Sequence, residues 1–168
     1  MNSRKTAGAV LGTLGGLIAL TAASAEIFYN LAINTKSPIH MSKLNNLVQK
    51  ATNTSADEDE ASAKYSGMTG TPEMKKWYAD EGEDVYITSD SLRLHGKRFK
   101  NSGSDYALIC HGYTSKAKHM AEFVKKFYEL GFNDLAVDAR AHGDSEGAKI
   151  GTCRPQRRDI AGWINLIL

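Results

Sequence analysis

The sequence predicts an α/β fold: an N-terminal transmembrane helix, then an antiparallel hairpin, then a parallel strand–helix–strand unit. Three features predict it. Thr6 to Ala25 carries no charge, and after Glu26 the apolar character resumes through Ile27-Phe28-Tyr29 to Ile33. Asp84–Thr88 and Leu92–Phe99 alternate in polarity around Ser89-Asp90-Ser91, as two strands joined by a tight turn do. Tyr106–Cys110 is a continuous apolar run and Phe132–Val137 a second apolar strand. The first has the composition of a strand buried on both faces, and a helix-period stripe lies between the two.

Bulk properties narrow the classes. A chain of 168 residues holds one domain of ordinary size. Its 21 Lys and Arg nearly balance 19 Asp and Glu, and without a basic run nothing recommends a nucleic-acid partner. Cys110 and Cys153 make no disulfide framework. Neither has a Cys or His neighbour at zinc spacing, so no metal is expected, and no motif asks for a cofactor. Cys110, inside an apolar run, reads as a small buried hydrophobe.

Residues 1–33 read as a signal anchor. Arg4 and Lys5 precede the apolar stretch, which is long enough to span a bilayer as one helix. Gly8, Gly12 and Gly16 repeat a G-x-x-x-G spacing that can support helix pairing. The positive N-terminus places the rest of the chain on the extracytoplasmic side of the cell membrane, a signal that Lys36 and Lys43 dilute. The alternative is secretion after cleavage near Ala25, because Ala23-Ser24-Ala25 fits a small-x-small site. N-terminal sequencing of the mature protein separates the two.

Residues 34–72 read as a juxtamembrane linker. Ser42 can cap a short helix whose Leu44, Leu47 and Val48 share a face. Ala51–Ala63 is polar and acidic enough to stay partly disordered. Asp57-Glu58-Asp59-Glu60 lacks the spacing and glycine of a calcium loop and reads as a solvated face.

Residues 73–168 read as the globular part. Glu73–Ala79 forms a short helix with Trp77 and Tyr78 as packing residues. In the hairpin, Leu92, Leu94 and Gly96 share one face and Arg93, His95 and Lys97 the other, which makes His95 a solvent-exposed histidine. Ser115 can cap a helix over Lys116–Leu130 with Met120, Phe123, Val124 and Phe127 in its stripe and His119 exposed; Gly131 ends it. A second helix begins at Asp159 and buries Ile160, Trp163, Ile164 and Ile167.

Two short stretches carry the chemistry: His111-Gly112-Tyr113-Thr114 after the first apolar strand, and Asp138-Ala139-Arg140-Ala141-His142-Gly143-Asp144-Ser145-Glu146-Gly147 after the second. Both follow strand carboxyl ends, where open α/β sheets place their ligands. With the preceding hairpin they resemble the N-terminal half of the α/β-hydrolases, in particular membrane-anchored bacterial serine hydrolases of the serine-aminopeptidase or monoglyceride-lipase type. The resemblance implies a small acyl or peptide substrate and an oxyanion donor at the Tyr113 N–H. It implies structural roles for His111, Gly112, Asp138, Arg140, His142 and Gly143, because the triad histidine comes last in that family's chain order. Asp138 and Arg140 would hold the loop by hydrogen bonds and an ion pair.

Gly143-Asp144-Ser145-Glu146-Gly147 also fits the nucleophile-elbow pattern G-x-S-x-G. An elbow needs a strand running directly into it. Here the strand ends at Val137, and the acids beside Ser145 oppose an alkoxide. Ser145 therefore reads as a loop residue, with a nucleophile as the lesser alternative. The resemblance places nucleophile, acid and base beyond Leu168, so the sequence reads as truncated and as inactive by itself. A non-catalytic pseudoenzyme or membrane-associated interaction protein is the second reading. A small enzyme using Ser145 with His111, His119 or His142 is the third.

Overall fold

A computed structural model describes residues 3–51, 70–151 and 154–168. The acidic cluster Asp57–Glu60 and Cys153 lie outside them. The elements run α1 (Ser3–Ala32), α2 (Met41–Ala51), α3 (Pro72–Glu81), β1 (Glu83–Ser89), β2 (Leu92–Phe99), β3 (Tyr106–Cys110), a 3₁₀ turn (Ala117–Met120), α4 (Ala121–Glu129), β4 (Asn133–Val137) and α5 (Arg154–Ile167).

The four strands form one mixed sheet in the order β1-β2-β4-β3. β1 and β2 pair antiparallel in the expected hairpin, with Val85 opposite Gly96 and Ser89 opposite Leu92. Asp90 and Ser91 form the two-residue turn with φ +49 and +64, the left-handed pair that matches the twist of a tight hairpin. β3 and β4 pair parallel in register, Leu108 opposite Leu135, and β4 meets β2 antiparallel.

Two apolar clusters lie on opposite faces of the sheet. On one, Tyr78 of α3 and Met120, Ala121 and Val124 of the 3₁₀ turn and α4 pack on Phe99, Ile109 and Ala136. On the other, Trp163 of α5 packs on Leu94, Leu135 and Val137. Gly96 makes room for that indole: a Cβ there would stand 3.1 Å from the Trp163 ring. Thr71 caps α3 by accepting from the Met74 N–H, with Pro72 at the first helical position. Gly131, at φ +96, turns the chain out of α4.

The structure corrects several expectations. Among the described residues no helix is long and apolar enough to cross a membrane, so the N-terminal transmembrane helix is not supported. Thr21, Ser24, Glu26 and Asn30 interrupt the apolar run, and the Asn30 amide bonds to both the backbone and the carboxylate of Glu26. β3 is an edge strand, not one buried on both faces, and Tyr106 and Cys110 are exposed at its ends. Cys110 is accordingly not a buried hydrophobe. Ser115 does not cap a helix. The 3₁₀ turn starts after Lys116 without a side-chain cap, and the Ser115 hydroxyl pairs with His119 Nδ1 at 3.2 Å. Ile164 on α5 is exposed.

The region read as a linker contains a packed piece. Asn34 forms an antiparallel bridge with Lys149. The Thr35 N–H donates to Ala148 O, and the Ile150 N–H to Ile33 O. The Tyr113 hydroxyl donates to Ala32 O at 2.7 Å. Residues 32–40 thus lie against the two loops that carry the sequence's chemical signature.

Candidate functional site

The ends of β3 and β4 bring the two signature stretches together. His111 joins them. Its Nδ1 donates to its neighbour's carbonyl, Gly112 O, at 2.8 Å, and its Nε2 accepts from the Ala139 N–H at 3.0 Å. These roles fix one tautomer of a neutral ring. Burial lowers the pKa of His111, and its ring lies 5.0 Å from that of His142, whose pKa burial also lowers. The turn after His111 closes through the Ser115 N–H donating to Gly112 O, which leaves the Tyr113 N–H outside the closing bond. Thr114 takes φ +59, a strained conformation for a β-branched residue. A Cβ at Gly112 would meet nothing within 4 Å, so this side of the turn is open.

The loop after β4 is held by Asp138. Its Oδ1 accepts from the Ala117 N–H at 2.8 Å, and its Oδ2 from His95 Nδ1 at 2.7 Å and the Asp144 N–H at 3.2 Å. Burial works against its charge, but His95 and the two amides outweigh it and hold Asp138 below the usual carboxylate range. Gly143, at φ +50, passes so close that any Cβ would strike the Asp138 carboxylate. Arg140 makes a buried fork to Asp159 on α5, Nε at 2.7 Å and Nη2 at 2.6 Å, and reaches Asp90 of the hairpin turn at 3.1 Å. The loop is thereby tied to three elements.

Ser145 lies inside this frame. It is 9% exposed. Its hydroxyl donates to Asp138 O at 2.7 Å and accepts from the His95 N–H at 2.8 Å. Both bonds are to backbone, and its φ is not left-handed, unlike the strained serine of an elbow. His142 Nδ1 bonds to Arg140 O at 3.0 Å, and His119 is buried, not exposed as the helical pattern suggested.

Sequence reasoning missed His95. It is 6% exposed, not solvent-facing: its Nδ1 meets Asp138, and its Nε2 meets Asp84 at 2.9 Å. Strand alternation correctly separated it from Leu94, but the loop that covers that face comes some forty residues later, beyond any local pattern. Lying between carboxylates, with the Asp138 bond the stronger cause, His95 has its pKa raised, and it lowers that of Asp84. Asp144 also approaches, so a ring nitrogen of His95 and carboxylate oxygens of Asp138 and Asp144 lie within 4.8 Å of one another. Hydrogen bonds with the carboxylates engage both ring nitrogens and account for the cluster. A cavity of about 340 Å³ opens beside it, edged by Tyr78, Asp84, Lys97 and Asp144.

This pair predicts a pH dependence. A histidine whose folded pKa lies above its unfolded value stabilises the fold below the unfolded pKa, and the contribution is lost as pH rises through the folded pKa. Thermal unfolding is therefore expected to show a midpoint that falls above neutral pH, and His95→Gln should remove that part of the dependence. An unchanged profile in the variant would assign the titration to another group.

No family description matches the chain, and no curated protein matches it. Solved structures do. The Pyrococcus furiosus esterase Pf2001 is similar in each of two crystal forms, at 28% identity. One form covers 55% of this chain and 37% of the esterase with a TM-score of 0.50; the other covers 55% and 38% with a TM-score of 0.51. An α/β-hydrolase from Vibrio vulnificus is more distant, at 24% identity over 52% of this chain and 30% of that one, with a TM-score of 0.45. The chain thus spans little more than a third of the esterase it matches. With the mixed sheet and its two site loops, the likeness to the esterase defines the chain as carrying a partial α/β-hydrolase fold.

Proposed function

We propose that residues 73–168 supply the scaffold and first oxyanion donor of a serine hydrolase acting on ester, amide or peptide bonds, and that Ser145 is a framework hydroxyl. The observation that carries this reading is the His111 bridge. It locks the Gly112-Tyr113 turn to the loop after β4 in one tautomer and leaves the Tyr113 amide free of the turn's closing bond. An amide held this way, on an open edge of the sheet, can receive the negative charge that develops on a carbonyl oxygen under attack. The likeness to an esterase supports the same class of reaction. Ser145 lacks what a nucleophile needs, since no imidazole receives its proton.

The experiment is kinetic. In a gene product that carries residues 73–168 and hydrolyses p-nitrophenyl esters, Tyr113→Pro deletes the N–H and is expected to lower kcat by about 10²–10³. The 168-residue polypeptide alone is expected to release p-nitrophenol no faster than buffer and to take no fluorophosphonate label. Turnover by this polypeptide that disappears in Ser145→Ala would make Ser145 the nucleophile and end the reading. So would a Tyr113→Pro variant with undiminished kcat.

A further inference from the structure

α2 is turned inside out. In a globular protein the apolar stripe of a helix faces the core. Here Met41, Leu44, Leu47 and Val48 share one face and are 41%, 37%, 61% and 61% exposed, whereas the polar Asn46 on the opposite side is half-buried. Ile39, just before the helix, is exposed as well, at 40%. We propose that α2, with this neighbouring surface, docks on a lipid bilayer bearing anionic headgroups, lying along the interface and not crossing it.

Charge selects that partner. From Ile27 to Ala51 there is no Asp or Glu, and the charged side chains are Lys36, Lys43 and Lys50, all exposed. Lys43 and Lys50 stand four residues before and three after Leu47, so they flank the stripe. Their stems can lie along apolar surface while the ammonium groups reach headgroup phosphates. A second copy of the same face would bring lysines against lysines with no acid in the segment to pair them.

The surface is also held in place. His40, immediately before α2, is 2% exposed. Its carbonyl accepts from the Lys43 and Leu44 N–H groups, and its Nδ1 pairs with the Ser42 hydroxyl at 2.8 Å. Upstream, the Asn34–Lys149 bridge fastens the same segment to the loop after β4. Bilayer contact through α2 therefore holds the folded body, not a loose tail. The proposal does not depend on the hydrolase reading.

The test is co-sedimentation of the full chain with phosphatidylcholine vesicles, with and without about one third phosphatidylglycerol. Binding to the anionic vesicles is expected to exceed that to the neutral ones by roughly tenfold and to fall as salt is raised. Leu47→Glu is expected to weaken it by about tenfold or more. Asn45→Glu makes the same charge change at an exposed position off the stripe and should cost less than about threefold. Circular dichroism verifies that both variants keep their helices. Absence of anionic-vesicle binding, or equal losses in the two variants, overturns the proposal. So does light scattering that shows a dimer which Leu47→Glu dissociates, because the face would then be a self-interface.

Discussion

Asp134→Val is expected to stabilise the protein, and to do so more at pH 8 than at pH 4. Asp134 lies on β4, on the face it shares with Ala136 beneath α4, and is 0% exposed. Among the described residues neither carboxyl oxygen has a hydrogen-bond partner. Burial raises its pKa to about 7, against an unfolded value of about 3.9. Between those values the unfolded chain ionises while the folded chain keeps its proton, so stability falls as pH rises from about 4 to about 7 and then levels off. The span corresponds to roughly 4 kcal/mol. Even the neutral carboxyl, buried without a partner, costs about 1–3 kcal/mol, and valine suits a central strand. Urea unfolding at pH 4.5 and pH 8 measures both parts. A pH-independent difference, or a destabilised variant, would show that Asp134 finds a partner in solution. The dependence left in Asp134→Val, above neutral pH, then belongs to His95.

Arg140→Ala is expected to cost about 3–5 kcal/mol, the range for breaking a buried ion pair by removing one partner. The guanidinium is 10% exposed and the Asp159 carboxylate 5%, and the fork engages both carboxylate oxygens. The loss reaches beyond the pair, because Arg140 also holds Asp90, which Arg158 meets at 2.9 Å. Asp159→Ala should be similarly damaging. The double variant should cost clearly less than the sum, since each single change strands a charge that the double change removes. Strict additivity would mean that the two side chains act independently. Arg140→Lys keeps the charge but not the planar fork, and should fall between.

Much of the fold was legible locally. The alternation of β1 and β2 around Ser89-Asp90-Ser91 reported the hairpin, because side-chain period and turn-forming residues are properties of neighbours in sequence. The parallel pairing of β3 and β4 followed from strand, helix, strand order. Trp163 was placed correctly because a helical stripe predicts its own buried side. The exposures of Cys110, Tyr106 and Ile164 were not legible: each depends on what lies beyond the sheet edge or the helix flank. The apolar composition of Tyr106–Cys110 describes what the strand would prefer, not what covers it. For the N-terminal stretch, hydropathy favoured a span, whereas among the described residues no helix is long and apolar enough to cross a membrane.

By itself the sequence determined the hairpin, the strand–helix–strand order after it and the two signature turns, and it supplied the argument against Ser145 as an elbow. All of these are set by residues within a few positions of one another. Only the tertiary structure decided that His95 is buried between carboxylates, that His111 ties one turn to the other, that Asp134 lacks a partner among the described residues and that the apolar face of α2 points outward. Each of those facts depends on contacts between segments distant in the chain. The physical reason is that burial and hydrogen-bond satisfaction belong to the packed whole, whereas periodicity and turn chemistry are already present in the unfolded chain.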